Sequence, residues 1–207
     1  MRVNHTIRTL ITGDFLINSG MSLFAPVFAI FVTRQISDGT IQAVGFAVAI
    51  TQIVKSVFQI PVARWLDKNH GEYDDFIAMI IGSVIAISVP LLYLVASSVS
   101  HIYLIQIWSG LGLAIGIPPW FAIFTRHIDD NQENIEWSFE SVAIGISGAG
   151  AAALSGILVS AYGFNAVFIL GAFIAFIGML MQIRIYQDLM GHVPQRQVKP
   201  HIDRSAS

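Results

Sequence analysis

The sequence predicts an all-α membrane protein of six transmembrane helices, and three observations carry that prediction. Hydrophobic residues make up 55% of the 207 and charged residues only 12%, with a mean hydropathy of +0.68, whereas a soluble domain carries about 25% charged residues. Six apolar segments each approach the ~20 residues needed to cross a ~30 Å hydrocarbon core as a helix. The Lys and Arg residues fall almost entirely in alternate loops, the asymmetry that orients membrane proteins. The chain has no cysteine, which excludes a disulfide framework and thiol-based zinc or redox sites.

The six spans run approximately 10–32, 40–63, 76–96, 102–125, 142–162 and 164–183. The first follows Arg2 and Arg8 in the manner of a signal peptide, but it carries Asp14, exceeds a 7–15-residue signal core and lacks a small-x-small cleavage site, so it reads as a retained span. The second contains Lys55 together with Gln52, Ser56 and Gln59. The third and the sixth have charge-free cores and are expected to face lipid. The fourth is Gly-rich and carries the pair Pro118 and Pro119, while the fifth, "VAIGISGAGAAALSGILVSAY", repeats small residues at the spacing that lets helix backbones approach closely. Placing the N-terminus in the cytoplasm puts Arg2, Arg8, Arg64, Lys68, Arg126, Arg184, Arg196, Lys199 and Arg204 inside and only Arg34 outside. Both termini are then cytoplasmic, in a plasma or inner membrane. Residues 1–186 form the membrane domain, and the polar stretch 187–207 reads as a disordered cytoplasmic tail.

Polar side chains inside hydrocarbon are costly, so they mark faces turned toward protein or water. Asp14, Asn18 and Ser22 recur every fourth residue along one stripe of the first span. Gln52, Lys55 and Gln59 share a face of the second, and Gln106 lies on the fourth. Spans one, two and four are therefore expected to line an interior pathway, with Asp14, Asn18, Gln52, Lys55, Gln59 and Gln106 as its candidate solute or ion contacts. At 1.5 Å per residue, Asp14 lies roughly 6 Å and Lys55 roughly 12 Å from the cytoplasmic face. A snorkelling lysine spans that difference, so the two are candidates for an ion pair. Arg126 is expected to pair with Glu136 or Glu140 across the loop before the fifth span.

The connection "IPVARWLDKNHGEYDD" after the second span resembles the loop motif G-x-x-x-D-[RK]-x-G of the major facilitator superfamily. Asp67 and Lys68 match its D-[RK] pair, Ala63 stands at the first Gly, Gly71 comes one residue late, and "EYDD" replaces the usual basic run. Residues 8 to 186, with a Gly-rich fourth span and a small-residue fifth, resemble one six-helix half of that superfamily. The resemblance implies a 3+3 inverted repeat, in which the first and fourth helices line the cavity and the second and fifth meet the other half. It implies a secondary transporter of a small solute, with a coupling proton or ion drawn from a gradient, working by alternating access. Arg64, Asp67, Lys68, Gly71, Arg126, Glu136 and Glu140 become the gating and loop-motif candidates. Members usually join two halves, so a chain with one half implies a parallel homodimer or a second six-helix partner.

An internal repeat bears on the same reading. Skipping Val32, "PVFAIFVTRQISD" from Pro26 and "PWFAIFTRHIDD" from Pro119 agree at nine positions, Pro, Phe, Ala, Ile, Phe, Thr, Arg, Ile and Asp, and "AVAI" at Ala47 returns as "SVAI" at Ser141. The repeat reads as one helix end used twice in opposite directions. The alternative function class is a six-helix channel or a non-transporting scaffold or partner subunit, although no carbonyl filter motif is visible. An enzyme is not expected. "GISGA" at Gly145 fits a protease G-x-S-G pattern, but none of His5, His70, His101, His127, His192 or His201 lies in a span to serve as base. No G-x-x-x-x-G-K-[ST] loop is present for nucleotide-driven transport. No cofactor, metal or nucleic-acid partner is expected.

Overall fold

The computed structural model describes residues 4–69 and 71–191; Arg2, His70, His192, Arg196, Lys199, His201 and Arg204 lie outside the described residues, as does the tail from 192 onward. The fold is all-α. Helices α1 (His5–Phe24) and α2 (Phe28–Gln35) are joined by a single 3-10 turn, Ala25–Val27, and α3 (Ile41–Asn69), α4 (Glu72–Tyr93), α5 (Val99–Arg126), α6 (Glu133–Ile183) and α7 (Tyr186–Gly191) follow. Among the described residues, five stretches are long and apolar enough to cross a membrane: His5–Gln35, Ile41–Lys68, Glu72–Tyr93, Val99–Arg126 and Glu133–Ile183.

Local sequence accounts for the breaks. Pro26 has no N–H to donate, so the α-helical bonding lapses and a 3-10 turn carries the chain into α2. Asn4 caps α1 by accepting from Ile7 N at 2.9 Å, and Ser98 caps α5 by accepting from His101 N. The connection after α3 is far shorter than expected. Arg64, Asp67 and Lys68 belong to the last turns of α3, and only Gly71 of the motif stays outside a helix, at the N-cap of α4. Nothing between Ala63 and Lys68 breaks a helix, and Glu72, Asp74 and Asp75 occupy the first turn of α4, where acidic groups complement the helix dipole. The described residues include the first positions of the stretch read as a tail. Tyr186–Gly191 are helical, because Leu189, 3% exposed, docks among Ile7, Phe76 and Ile185.

The 51 residues of α6 would extend about 76 Å if straight. They do not run straight, because Gly163 adopts φ 79° and ψ 172°, a region open essentially to glycine. Ser147 bonds Asn18 of α1, and Gly171 packs against Gly20 of α1. In a straight helix those two residues of α6 would stand about 36 Å apart. The chain therefore doubles back at Gly163, and both limbs of α6 lie on α1.

Packing falls into two groups, α1 with both limbs of α6 and α5 with α3 and α4, joined through α4 and α6. The first is tightened where Gly20 meets Gly171 and Ala175, the second where Gly82 meets Gly116. One end of the bundle is filled by aromatic rings, with Phe31 edge-on to Phe168 at 4.9 Å and Tyr93 among Phe24, Phe28 and Phe31. The other end, which holds Asn4, Glu72 and Arg126, packs Ile7, Leu10, Met79, Ile123 and Phe124. Spans three and six, expected to form the outside, expose Ile81, Val84, Phe173 and Leu180. Half of the apolar window in α4 is buried, against 11% in α3, the least covered helix.

Candidate functional site

A cavity of about 490 Å³ opens between α1, α4, α5 and both limbs of α6. Its size falls within the 300–1,000 Å³ usual for small-molecule sites. Asp14 from α1, Glu140 from the first limb of α6 and Gln182 from the second reach it, facing Trp120 and Phe121 of α5 and Trp137 of α6. The rings form one wall, with Trp120 to Phe121 at 5.3 Å and Phe121 to Trp137 at 5.6 Å between centroids. Among the described residues no Lys, Arg or His lines it.

Asp14 and Glu140 are neighbours in the lining of this cavity. Glu140 is 3% exposed, and neither of its oxygens meets a protein donor. Gln182 is 1% exposed, and its Oε1 is equally without a partner. Two ionised carboxylates about 4 Å apart repel by roughly 4 kcal/mol at an effective dielectric near 20. The strain of such a pair is relieved either by a proton held between the two carboxyls or by a bound cation.

The candidate residues divide into three sets. Asp14 and Glu140 come together in the cavity. Asn18, one turn further along α1, cross-links it to α6 by donating to Ser147 Oγ at 2.6 Å and Ile144 O at 3.2 Å. Gln106 is a structural tie of α3, α4 and α5, accepting from Thr51 Oγ1 at 2.5 Å and donating to Tyr93 Oη at 3.0 Å. The pairing of Asp14 with Lys55 is not formed. Lys55 and Gln59 are half-buried and Gln52 exposed on α3, which packs on α5 and shares no substantial interface with α1. Arg64, Asp67 and Lys68 are exposed at the end of α3.

The pairing of Arg126 with Glu136 or Glu140 is corrected as well. Arg126 Nη1 donates to Asp75 Oδ2 at 2.5 Å, because α5 ends beside the first turn of α4. Glu136 instead accepts from Asp129 N at 3.3 Å, and His127 Nε2 lies 3.9 Å from Glu72 Oε2. Asn4 completes this end of the bundle by donating its Nδ2 to Asp129 Oδ1 at 3.1 Å and to His127 O. Sequence reasoning missed Gln182 and Trp120. An amide closing a long apolar stretch of the sixth span, in "MLMQI", was the available signal for Gln182.

These features can be set beside known proteins. No curated protein matches the chain. The family model described as Major Facilitator Superfamily matches residues 10–202, nearly the whole length, and that superfamily consists generally of membrane transporters rather than enzymes. The chain is a multi-pass membrane protein belonging to the Major Facilitator Superfamily.

Proposed function

We propose that the chain is one half of a secondary transporter for a small solute, that two copies assemble side by side, and that the pair works by alternating access. The observation that carries this reading is the cavity, where three elements deliver Asp14, Glu140 and Gln182 to an interior space in a chain of a transporter superfamily. The hairpin at Gly163 divides α6 into two limbs of crossing length, which with the other four stretches makes six crossings. Their packing supports a 3+3 inverted repeat. If spans one and four, two and five, and three and six are exchanged, the group of α1 with both limbs of α6 maps onto the group of α5 with α3 and α4. Span pairs that exchange under the repeat are cross-linked in both groups, Asn18 to Ser147 in the first and Thr51 to Gln106 in the second. The first copy of the repeated sequence ends on a left-handed residue, Asp38 at φ 60°, and the second is followed by one, Asn131 at φ 61°.

The uncovered α3 and the first limb of α6, with Phe46, Ile53, Ile146 and Ile157 each more than 60% exposed, are the faces assigned to the second copy. The end carrying Asn4 and Arg126 is assigned to the cytoplasm by the positive-inside distribution, with the contacts of Arg126, Glu136 and the α3–α4 motif as its gate. A thermal-shift screen of solutes followed by uptake into proteoliposomes tests the function. Gradient-dependent accumulation is expected. Uptake that never exceeds equilibration would contradict coupling, and no uptake of any stabilising solute would contradict transport.

A further inference from the structure

The charge and shape of the cavity narrow its ligand, on the reading above that this cavity is the transport site. Its charged lining is of one sign: Asp14 and Glu140 project into it, and no basic side chain among the described residues reaches it. Glu140 is 3% exposed and neither of its oxygens meets a protein donor, so the chain offers the carboxyl pair no basic partner and leaves it to a proton or a bound cation. An inorganic cation would satisfy the charge and leave most of the space unused. A cavity of about 490 Å³ is many times the ~30 Å³ that one water occupies in the liquid. Most of the remaining wall is apolar or aromatic, and Trp120, Phe121 and Trp137 present mutually packed rings, with Trp120 and Trp137 6.3 Å apart between centroids. Ring faces attract cations, most strongly when both are removed from water.

We infer that the cavity binds an amphipathic organic cation, its positive centre held by Asp14 and Glu140 and its apolar body lying against Trp120, Phe121 and Trp137. The unpartnered Gln182 Oε1 is an acceptor for an N–H on ligands that carry one. Tetraphenylphosphonium and tetraphenylborate share size and shape and differ in the sign of charge, so they form the test pair. Equilibrium binding of each to the purified protein in detergent is read by tryptophan fluorescence quenching. Tetraphenylphosphonium is expected to bind at least tenfold more tightly than tetraphenylborate, and Glu140→Gln and Asp14→Asn are each expected to weaken it at least tenfold, with thermal unfolding confirming that both variants are folded. Equal affinity for the two ions overturns the inference without reference to any variant, as does wild-type affinity in a folded Glu140→Gln protein. Selective binding of the cation without flux into proteoliposomes upholds the ligand class and counts against transport. Flux of a neutral or anionic solute with no preference for the cation overturns the ligand class alone.

Discussion

The contact of α1 with the second limb of α6 yields the sharpest mutational prediction. A Cβ added at Gly20 would overlap the carbonyl oxygen of Gly171 and stand 2.9 Å from Ala175 N and 3.0 Å from Ala175 Cβ. Two of these three atoms are backbone, so no rotamer change relieves the clash, and α1 must move away from the second limb of α6. Ordinary contact lies near 3.5–4.0 Å, and a gap of 0.5–1 Å already forfeits a quarter to a half of the dispersion energy of each pair along the interface. Overpacking of this kind costs about 1–3 kcal/mol, against a helix-propensity gain of at most about 1 kcal/mol for Gly to Ala. Steric loss therefore wins, and Gly20→Ala destabilises. Gly45→Ala is the control, because nothing lies within 4 Å of its added methyl, and it is expected to be neutral or slightly stabilising. Reversible unfolding in mixed micelles with increasing dodecyl sulfate, followed by tryptophan fluorescence, measures both. Equal stability of the two variants would refute the close packing of α1 on α6.

Two further substitutions probe the turn and the charged end. Gly163→Ala places a side chain at φ 79° and ψ 172° and is expected to cost about 1–3 kcal/mol in the same assay; wild-type stability would show that α6 does not double back there. Arg126→Gln strips the partner from Asp75, whose side chain is 5% exposed. Because Arg126 itself is 42% exposed and screened by solvent, the expected loss is about 1–2 kcal/mol, below the 3–5 of a fully buried pair. Asp75→Asn in the same chain should recover part of it, and additive losses in a double-mutant cycle would refute the pairing.

The apolar spans were legible because hydropathy reports what the bilayer demands of a helix. Their ends were not, since a helix that continues past the hydrocarbon meets no penalty. Thus α3 runs on through Arg64, Asp67 and Lys68, which composition alone assigned to a loop. Asp14 was legible as a charge too costly to bury idly, but its neighbour Glu140 was misassigned to Arg126. Their places at the two ends of one loop suggested that pairing, whereas the true partner, Asp75, lies 51 residues from Arg126 in sequence. Periodicity along single helices also grouped Gln52, Lys55 and Gln59 with Asp14. It finds the polar face of each helix but carries no information on which helices adjoin, and α3 packs on α5.

The claim that two copies build one transporter is tested most directly by native mass spectrometry of the purified protein released from a mild detergent or from nanodiscs. A species at twice the 22.6 kDa chain mass is predicted, dissociating when bulky charged residues replace Ile53 or Ile157. A preparation that carries out uptake while remaining wholly at the mass of one chain would contradict it.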